Sequence, residues 1–324
     1  MNRKSKILKY ILLAILLLLV AIIFFKGRDR VSNLPPSSYV AGEYNESIKT
    51  KDNRTRTFTL YVPKEFDAED EYPLILLFHG GNGNGEKILD QTDFRFAADE
   101  HDFIVVAPDG VDNNWADGRA TTEPDIKGVD DVAFIRELVV HISSKLPIHD
   151  NRVYATGASN GGIFTFRLAC EASDLIRAAA PVIASLPSNI APNCDPEPIP
   201  IQVIQGTSDP FIPIEGGDSS HERIKVGDGG LVESVENTRR LFAQNNKCNV
   251  VPETALLPTQ VNDGTQVLKL KYEGCANNAD VIYYIVRGMG HSWPPKSPTA
   301  ERLSGPTSRN IDATEVISDF FKTH

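Results

Sequence analysis

Residues 153–162 read VYATGASNGG. The first four form a short apolar run typical of a buried strand, and Ile163–Cys170 after them has the apolar spacing of a helix. Gly157 and Gly161 flank Ser159 in the pattern G-x-S-x-G, where small residues allow a sharp strand-to-helix turn that exposes the serine hydroxyl. The helix start also directs backbone N–H groups at this place, where they stabilise negative charge. The stretch therefore predicts a nucleophilic serine, Ser159, at the end of a buried strand.

Strands and helices alternate along the rest of the chain. A strand with one solvent-exposed face is predicted at Arg56–Val62. Helices are predicted to begin at Asp130 or Asp131 and to span Glu233–Asn245 and Ile311–Phe321. Buried strands are predicted at Pro73–His79, Phe103–Ala107, Ile201–Gln205 and Val281–Val286. This order predicts an α/β fold over residues 49–324, with a mostly parallel central sheet and helices on both faces. Ligands of such sheets bind at the carboxyl ends of the strands.

A serine nucleophile needs a histidine base and an acid that orients it. Three histidines follow Ser159. His291 comes directly after a predicted strand, whereas His221 lies in a polar stretch and His324 is the last residue. Asp209 follows another buried strand through a short Gly-Thr-Ser turn. We therefore predict a catalytic triad of Ser159, Asp209 and His291, in the chain order nucleophile, acid, base.

A glycine-rich loop, HGGNGNG, follows the predicted strand 73–79. Backbone N–H groups of Gly81 or Asn82, together with that of Asn160, are the expected donors of an oxyanion hole. His79 is expected to support this loop rather than to act as a second base. The loop is not expected to bind phosphate, because no Lys-Ser/Thr pair follows the glycines.

The N-terminus carries a basic, then apolar, segment. Residues 1–30 hold seven Lys/Arg and one Asp, a charge of +6, and the apolar run from Tyr10 to Phe25 has no small-residue cleavage site after it. We expect an uncleaved signal anchor at 1–30, with a cleaved signal as the alternative, and a tether at 31–48. The catalytic domain is expected to be exported in either case. The rest of the chain carries −16, which argues against a nucleic-acid partner and limits membrane contact to this segment.

Four cysteines and no C-x-x-C pair are consistent with export. Two disulfides are expected, and three pairings are possible. The simplest joins neighbours in the sequence, Cys170 with Cys194 and Cys248 with Cys275.

Together, HGGNGNG, VDDVAFI at 129–135, GASNGG, QGTSDPFIP and GMGHSWP resemble the exported poly(3-hydroxybutyrate) depolymerase-like esterases. These are α/β-hydrolases related to bacterial feruloyl and acetylxylan esterases. The resemblance runs from about residue 50 to the end and implies the same triad and the neighbour pairing of cysteines. It also places Trp293 where similar enzymes have an aromatic residue at the cleft. Trp115, in the long polar loop 109–128, is a second candidate wall of the substrate site.

The expected activity is hydrolysis of carboxylic esters through an acyl-Ser159 intermediate, with no metal or organic cofactor. Expected substrates are hydroxyalkanoate oligomers, feruloyl or acetyl esters of polysaccharides, and related polyesters. Two alternatives remain at this point: a serine peptidase of related fold, and a membrane-anchored binding module without catalysis.

Overall fold

The computed structural model describes residues 39–220, 229–296 and 301–324. The predicted anchor at 1–30 and His221 lie outside these ranges. Within them, no helix is both long and apolar enough to cross a membrane.

Ten strands in the described residues form one central sheet. The strands are β1 (Gly42–Lys49), β2 (Thr55–Val62), β3 (Tyr72–Phe78), β4 (Ile104–Pro108), β5 (Ile148–Ala158), β6 (Ala178–Val182), β7 (Ile201–Gly206), β10 (Glu253–Leu256), β11 (Gln266–Tyr272) and β12 (Val281–Arg287), with a separate two-stranded ribbon of β8 (Gly217–Asp218) and β9 (Leu231–Val232). The order in the sheet is β1-β2-β4-β3-β5-β6-β7-β12-β11-β10. Neighbours from β4 to β12 are parallel, and the two strands at each edge pair antiparallel. The predicted mostly parallel sheet is confirmed.

Helices cover both faces of this sheet. They are α1 (Gly85–Gln91), α2 (Phe94–His101), α3 (Glu123–Ile126), α4 (Asp131–Ser143), α5 (Asn160–Glu171), α6 (Val235–Asn245), α7 (Glu301–Ser304) and α8 (Ala313–Thr323). Successive side chains of a strand point to opposite faces, so Leu74 and Leu76 of β3 belong to the core cluster that also contains residues of α4, α5 and α6. Ile75 and Leu77 belong to the cluster on the other face, with residues of α1, α2 and α8. All seven residues of β3 are buried, as expected of a strand covered on both sides.

Strand register brings the predicted site loops together. Phe78 at the end of β3 pairs with Gly157 near the end of β5, so the glycine loop emerges beside Ser159. Gly206 at the end of β7 pairs with Val286 of β12. The loops that carry Asp209 and His291 therefore leave the same edge of the sheet side by side.

The predicted tether at 31–48 is wrong in its second half. Residues 42–49 form strand β1, which pairs with β2 along its whole length, and Tyr39 packs in the core with 8% of its surface exposed. This edge strand, GEYNESIK, has exposed or half-buried side chains at seven of eight positions. It therefore lacks the apolar pattern from which strands are predicted.

Both disulfides join the cysteines that are neighbours in the sequence. Cys170 is bonded to Cys194, and Cys248 is bonded to Cys275. The preferred pairing is confirmed. The first bond ties the end of α5, the helix that starts at the serine, to the segment before β7.

Candidate active site

Ser159 lies at a strained turn between β5 and α5. Its backbone has φ 56° and ψ −122°, a region that residues other than glycine seldom adopt. A Cβ at Gly157 would lie 2.7 Å from the carbonyl oxygens of both Phe78 and Gly161. A Cβ at Gly161 would collide with the carbonyl oxygens of Phe78 and His79. Only glycine fits at both positions, because the backbones of β3 and the turn are in direct contact, as the sequence pattern predicts.

His291 and Asp209 form a hydrogen-bonded pair. Nδ1 of His291 lies 2.7 Å from Oδ2 of Asp209, and the carboxylate side chain is fully buried. The other carboxylate oxygen accepts backbone N–H groups of Phe211 at 2.8 Å and Ile212 at 3.0 Å. Asp209 is thereby fixed with one oxygen directed at the imidazole, the arrangement that holds a histidine base in one tautomer.

Backbone contacts support the histidine loop from two sides. The backbone N–H of His291 donates to the carbonyl of Ser304 at 2.6 Å, and that of Gly290 donates to the carbonyl of Pro306 at 2.7 Å. A Cβ at Gly206 would collide with the carbonyl oxygen of Met289, so the loops after β7 and β12 are packed against each other.

Ser159 and His291 line the same cavity of about 490 Å³. Its apolar wall contains Ile88, Ile183 and Trp293, and its polar residues are Asp90, Gln91, Ser292, Lys296 and Ser304. The volume is in the range of pockets that enclose small organic ligands. Two predicted triad members thus face one cavity, and the third contacts the histidine.

Gly80 and Gly81 also line this cavity. A Cβ at Gly80 would lie 3.4 Å from Cβ of Ser159, so the glycine loop adjoins the serine. Asn160 is the first residue of α5, where a backbone N–H has no partner within the helix. Asn82 is exposed and is not among the residues that line the cavity. Of the predicted oxyanion donors, Gly81 and Asn160 therefore lie nearer to Ser159 and the cavity than Asn82 does.

Comparison with known proteins identifies the kind of enzyme. Residues 50–196 match the family model described as "Putative esterase". "Putative esterase NocK" of Nocardia uniformis subsp. tsuyamanensis is 28% identical over 277 residues, covering 82% of this chain and 79% of its own length. Feruloyl esterase D of Neurospora crassa is 25% identical over 265 residues, covering 78% and 80%.

The acetyl xylan esterase of Aspergillus awamori has the same fold. The two structures superpose with a TM-score of 0.57 at 15% identity, over 88% of this chain and all of the other. The chain has the α/β-hydrolase fold, and it resembles these esterases over most of its length. This esterase is a carboxylic ester hydrolase, and the family resemblance inferred from its motifs is confirmed.

In the esterase, His79 has the structural role predicted for it. Its Nε2 accepts the backbone N–H of Gly110 at 2.9 Å, so its Nδ1 carries the proton and donates to the carbonyl of Gly80 at 2.7 Å. Burial lowers the pKa of His79, which favours the neutral ring that this pair of hydrogen bonds requires.

Trp115 does not form a wall of the substrate cavity, so this prediction is wrong. The side chain is completely buried, stacks on Phe164 with ring centroids 5.1 Å apart and contacts Phe78 edge-on. Its indole N–H donates to the carbonyl of His79 at 3.0 Å. The polar loop folds back over its one large aromatic residue, because burying an indole removes a large apolar surface from water and its N–H finds an acceptor.

Trp293 does line the cavity of the esterase, as expected. It is 6% exposed, and its indole N–H donates to Oγ1 of Thr314 at 3.0 Å. This hydrogen bond to α8 fixes the plane of the ring.

The sequence did not reveal Ile88, Ile183 and Lys296 as cavity residues. Ile183 has φ 47°, which is a genuine outlier for a β-branched residue. No pattern in the sequence predicts a positive φ at an isoleucine. Ile88 belongs to α1, directly after the glycine loop, and a helix at that place could have been sought from its apolar pair Ile88 and Leu89.

Proposed function

We propose that this esterase cleaves its substrate through an acyl-Ser159 intermediate, with His291 as the base and Asp209 as the acid. The observation that carries this proposal is the 2.7 Å contact between His291 and Asp209 beside a cavity that Ser159 also lines. A serine hydroxyl is a weak nucleophile without such a base.

In the first half of the reaction, His291 takes the hydroxyl proton while Oγ of Ser159 bonds to the carbonyl carbon of the ester. Negative charge develops on the carbonyl oxygen, where backbone N–H groups of Gly81 and Asn160 stabilise it. The bond to the alcohol then breaks, and His291 gives its proton to the leaving oxygen.

In the second half, His291 takes a proton from water, and the resulting hydroxide bonds to the acyl carbon. The tetrahedral intermediate breaks its bond to Ser159, whose oxygen regains the proton from His291. The products are the alcohol and the free acid. Asp209 remains ionised and stabilises the imidazolium in both halves.

The cavity favours a neutral ester with a compact acyl group. Ile88, Ile183 and Trp293 offer an apolar wall to the acyl chain, while Gln91 and Lys296 provide polar contacts. The acidic residues that give the chain beyond residue 30 its charge of −16 would repel a strongly anionic substrate. Feruloyl and acetyl esters of polysaccharides, hydroxyalkanoate oligomers and related polyesters all meet these requirements, and two similar proteins bear the names feruloyl esterase and acetyl xylan esterase.

The two disulfides support a location outside the cytoplasm, where such bonds persist. The basic and apolar residues 1–30 would direct export, either as an anchor facing the periplasm or extracellular space or as a cleaved signal. Membrane contact would then involve that segment alone.

The substrate class can be tested with purified residues 31–324. Rates would be compared on p-nitrophenyl acetate to octanoate, methyl ferulate, acetylated xylan and 3-hydroxybutyrate oligomers, with Ser159→Ala as the blank. We expect at least one natural ester to be cleaved with a kcat/KM above that of p-nitrophenyl acetate. Cleavage of an aminoacyl-anilide in preference to every ester would contradict the proposal.

A further inference from the structure

Trp115 is hydrogen-bonded to both loops that carry the proposed oxyanion donors. Its indole N–H donates to the carbonyl of His79 at 3.0 Å, at the entrance to the glycine loop. Its backbone N–H donates to Oδ1 of Asn160 at 2.8 Å, and its backbone carbonyl accepts from Nδ2 of Asn160 at 3.2 Å. One residue thus connects the two places from which negative charge on the substrate would be stabilised.

Asp117 also forms a hydrogen bond with the side chain of Asn160. Nδ2 of Asn160 donates to Oδ2 of Asp117 at 2.6 Å. Asp117 is held in turn by Arg119, whose Nε and Nη2 donate to it over 2.7–3.1 Å. Both members of this ion pair are almost wholly buried, with side-chain exposures of 3% for Arg119 and 0% for Asp117. A buried ion pair seldom makes a protein more stable than an apolar pair would, but removing one partner leaves a buried charge unpaired and lowers stability strongly. The pair therefore favours the one arrangement of this segment in which both charges are paired.

A second buried ion pair fixes the segment between these contacts. The backbone N–H of Ala116 donates to Oδ2 of Asp131 at 2.8 Å. Oδ1 of Asp131 lies 2.7 Å from Nη1 of Arg56, and both side chains are at most 5% exposed. Residues 115–117 are therefore attached to β2 and to the start of α4.

We propose that Trp115, Asp117 and the side chain of Asn160 form an oxyanion brace, a set of positioning residues that holds the backbone N–H groups of Gly81 and Asn160 at a fixed separation. This inference rests on the proposed acyl-serine mechanism. Donors stabilise a developing oxyanion well only if they are already in place, and small displacements of reacting groups lower rates strongly. None of the three side chains needs to contact substrate for this role.

The brace is tested by Trp115→Phe and Asn160→Ala. The first keeps an aromatic ring against Phe164 but removes the donor to His79. The second keeps the backbone N–H of residue 160 but removes its side-chain contacts. We expect kcat per titrated active site to fall by about 10- to 100-fold in each variant, with KM within about twofold, since only transition-state stabilisation is lost.

Asn246→Ala is the matched control. Asn246 is also fully buried, and its amide also pairs with both the N–H and the carbonyl of one residue, Ile199, at 3.1 and 2.7 Å. It lies outside the cavity. We expect its loss to lower Tm about as much as the loss of Asn160 does, while kcat per active site stays within about twofold of the parent.

A trifluoromethyl ketone, which forms a tetrahedral adduct with the serine, provides the second measurement. Its Ki is expected to rise in parallel with the loss of kcat in Trp115→Phe and Asn160→Ala, while Ki of the product acid stays constant. Unchanged kcat per site in Trp115→Phe, or an equal loss in Asn246→Ala, would overturn the brace. If Ser159→Ala kept its activity, the proposed mechanism itself would fail, and that outcome is distinct from failure of the brace alone.

Discussion

Oδ2 of Asp209 lies 2.7 Å from Nδ1 of His291, while Oδ1 of the same carboxylate accepts the backbone N–H groups of Phe211 and Ile212. The two oxygens thus have separate partners: Oδ1 is held by the backbone of its own loop, whereas Oδ2 faces the base and also accepts a hydrogen bond from Nε2 of Gln205 at 3.4 Å. Asp209 can orient the imidazole because the backbone N–H groups of its own loop fix the position of its carboxylate.

Asp209→Asn is expected to lower kcat by about 10³- to 10⁴-fold, because an amide in place of the carboxylate favours the wrong tautomer of His291. Steady-state kinetics on p-nitrophenyl acetate would measure the loss. Asp312→Asn is the control, since the side chain of Asp312 caps α8 by accepting the backbone N–H of Glu315. A loss below about tenfold in Asp209→Asn would count against this acid.

The buried, neutral His79 is expected to make the fold less stable in acid. Its pKa in the folded protein is lowered by burial, so below the unfolded pKa of about 6.5 the unfolded chain binds the extra proton and the free energy of unfolding falls as the pH falls. His79→Gln keeps an acceptor for Gly110 but does not titrate. Tm measured from pH 7.5 to 5 should therefore decline less steeply in this variant than in the parent, and equal slopes would contradict the prediction.

Removal of the Cys170–Cys194 disulfide by a double change to serine is expected to lower the free energy of unfolding by about 3 kcal/mol. The bond closes a loop with a sequence separation of 24 residues, whose freedom in the unfolded chain would be regained. Urea unfolding measures the loss. The second disulfide closes a loop of similar separation, 27 residues, so its removal should cost about the same, and a negligible loss in both pairs of variants would contradict the expectation.

Ile183→Ala is expected to shift acyl preference toward longer chains, because it enlarges the cavity. The ratio of kcat/KM for p-nitrophenyl octanoate over acetate should rise by about tenfold, the effect of one or two methylene groups in a binding pocket. Ile317→Ala, in α8 and also buried, is the control that should lower Tm without changing the ratio. An unchanged ratio in Ile183→Ala would remove Ile183 from the acyl site.

The sequence predicted the central sheet, the turn at Ser159 after a buried strand, and the contact between Asp209 and His291, because each depends on a local pattern. Buried parallel strands are continuous apolar runs, and their carboxyl ends meet at one edge, so residues just after them converge. Few histidines follow the serine, which left little ambiguity about the base.

The features that the sequence did not reveal depend on contacts between distant segments. Strand β1 has a polar sequence. It forms a strand because it pairs with β2 at the edge of the sheet. Trp115 lies in a loop rich in polar residues. The sequence of that loop does not indicate that the indole ring packs against Phe78 and Phe164. The pairing of Asp117 with Asn160 joins residues 43 positions apart, and no spacing rule predicts it.

Covalent labelling identifies the nucleophile, for which we propose Ser159, without depending on the choice of substrate. A fluorophosphonate probe, followed by digestion and mass spectrometry, should modify Ser159 alone, and Ser159→Ala should lose both labelling and about 10⁵-fold of turnover with little change in Tm. The control is Ser185→Ala, which changes a buried serine outside the cavity. This variant should be labelled by the probe and should hydrolyse substrate at the rate of the parent. Modification of another residue, or substantial esterase activity in folded Ser159→Ala, would contradict the role of Ser159 as nucleophile.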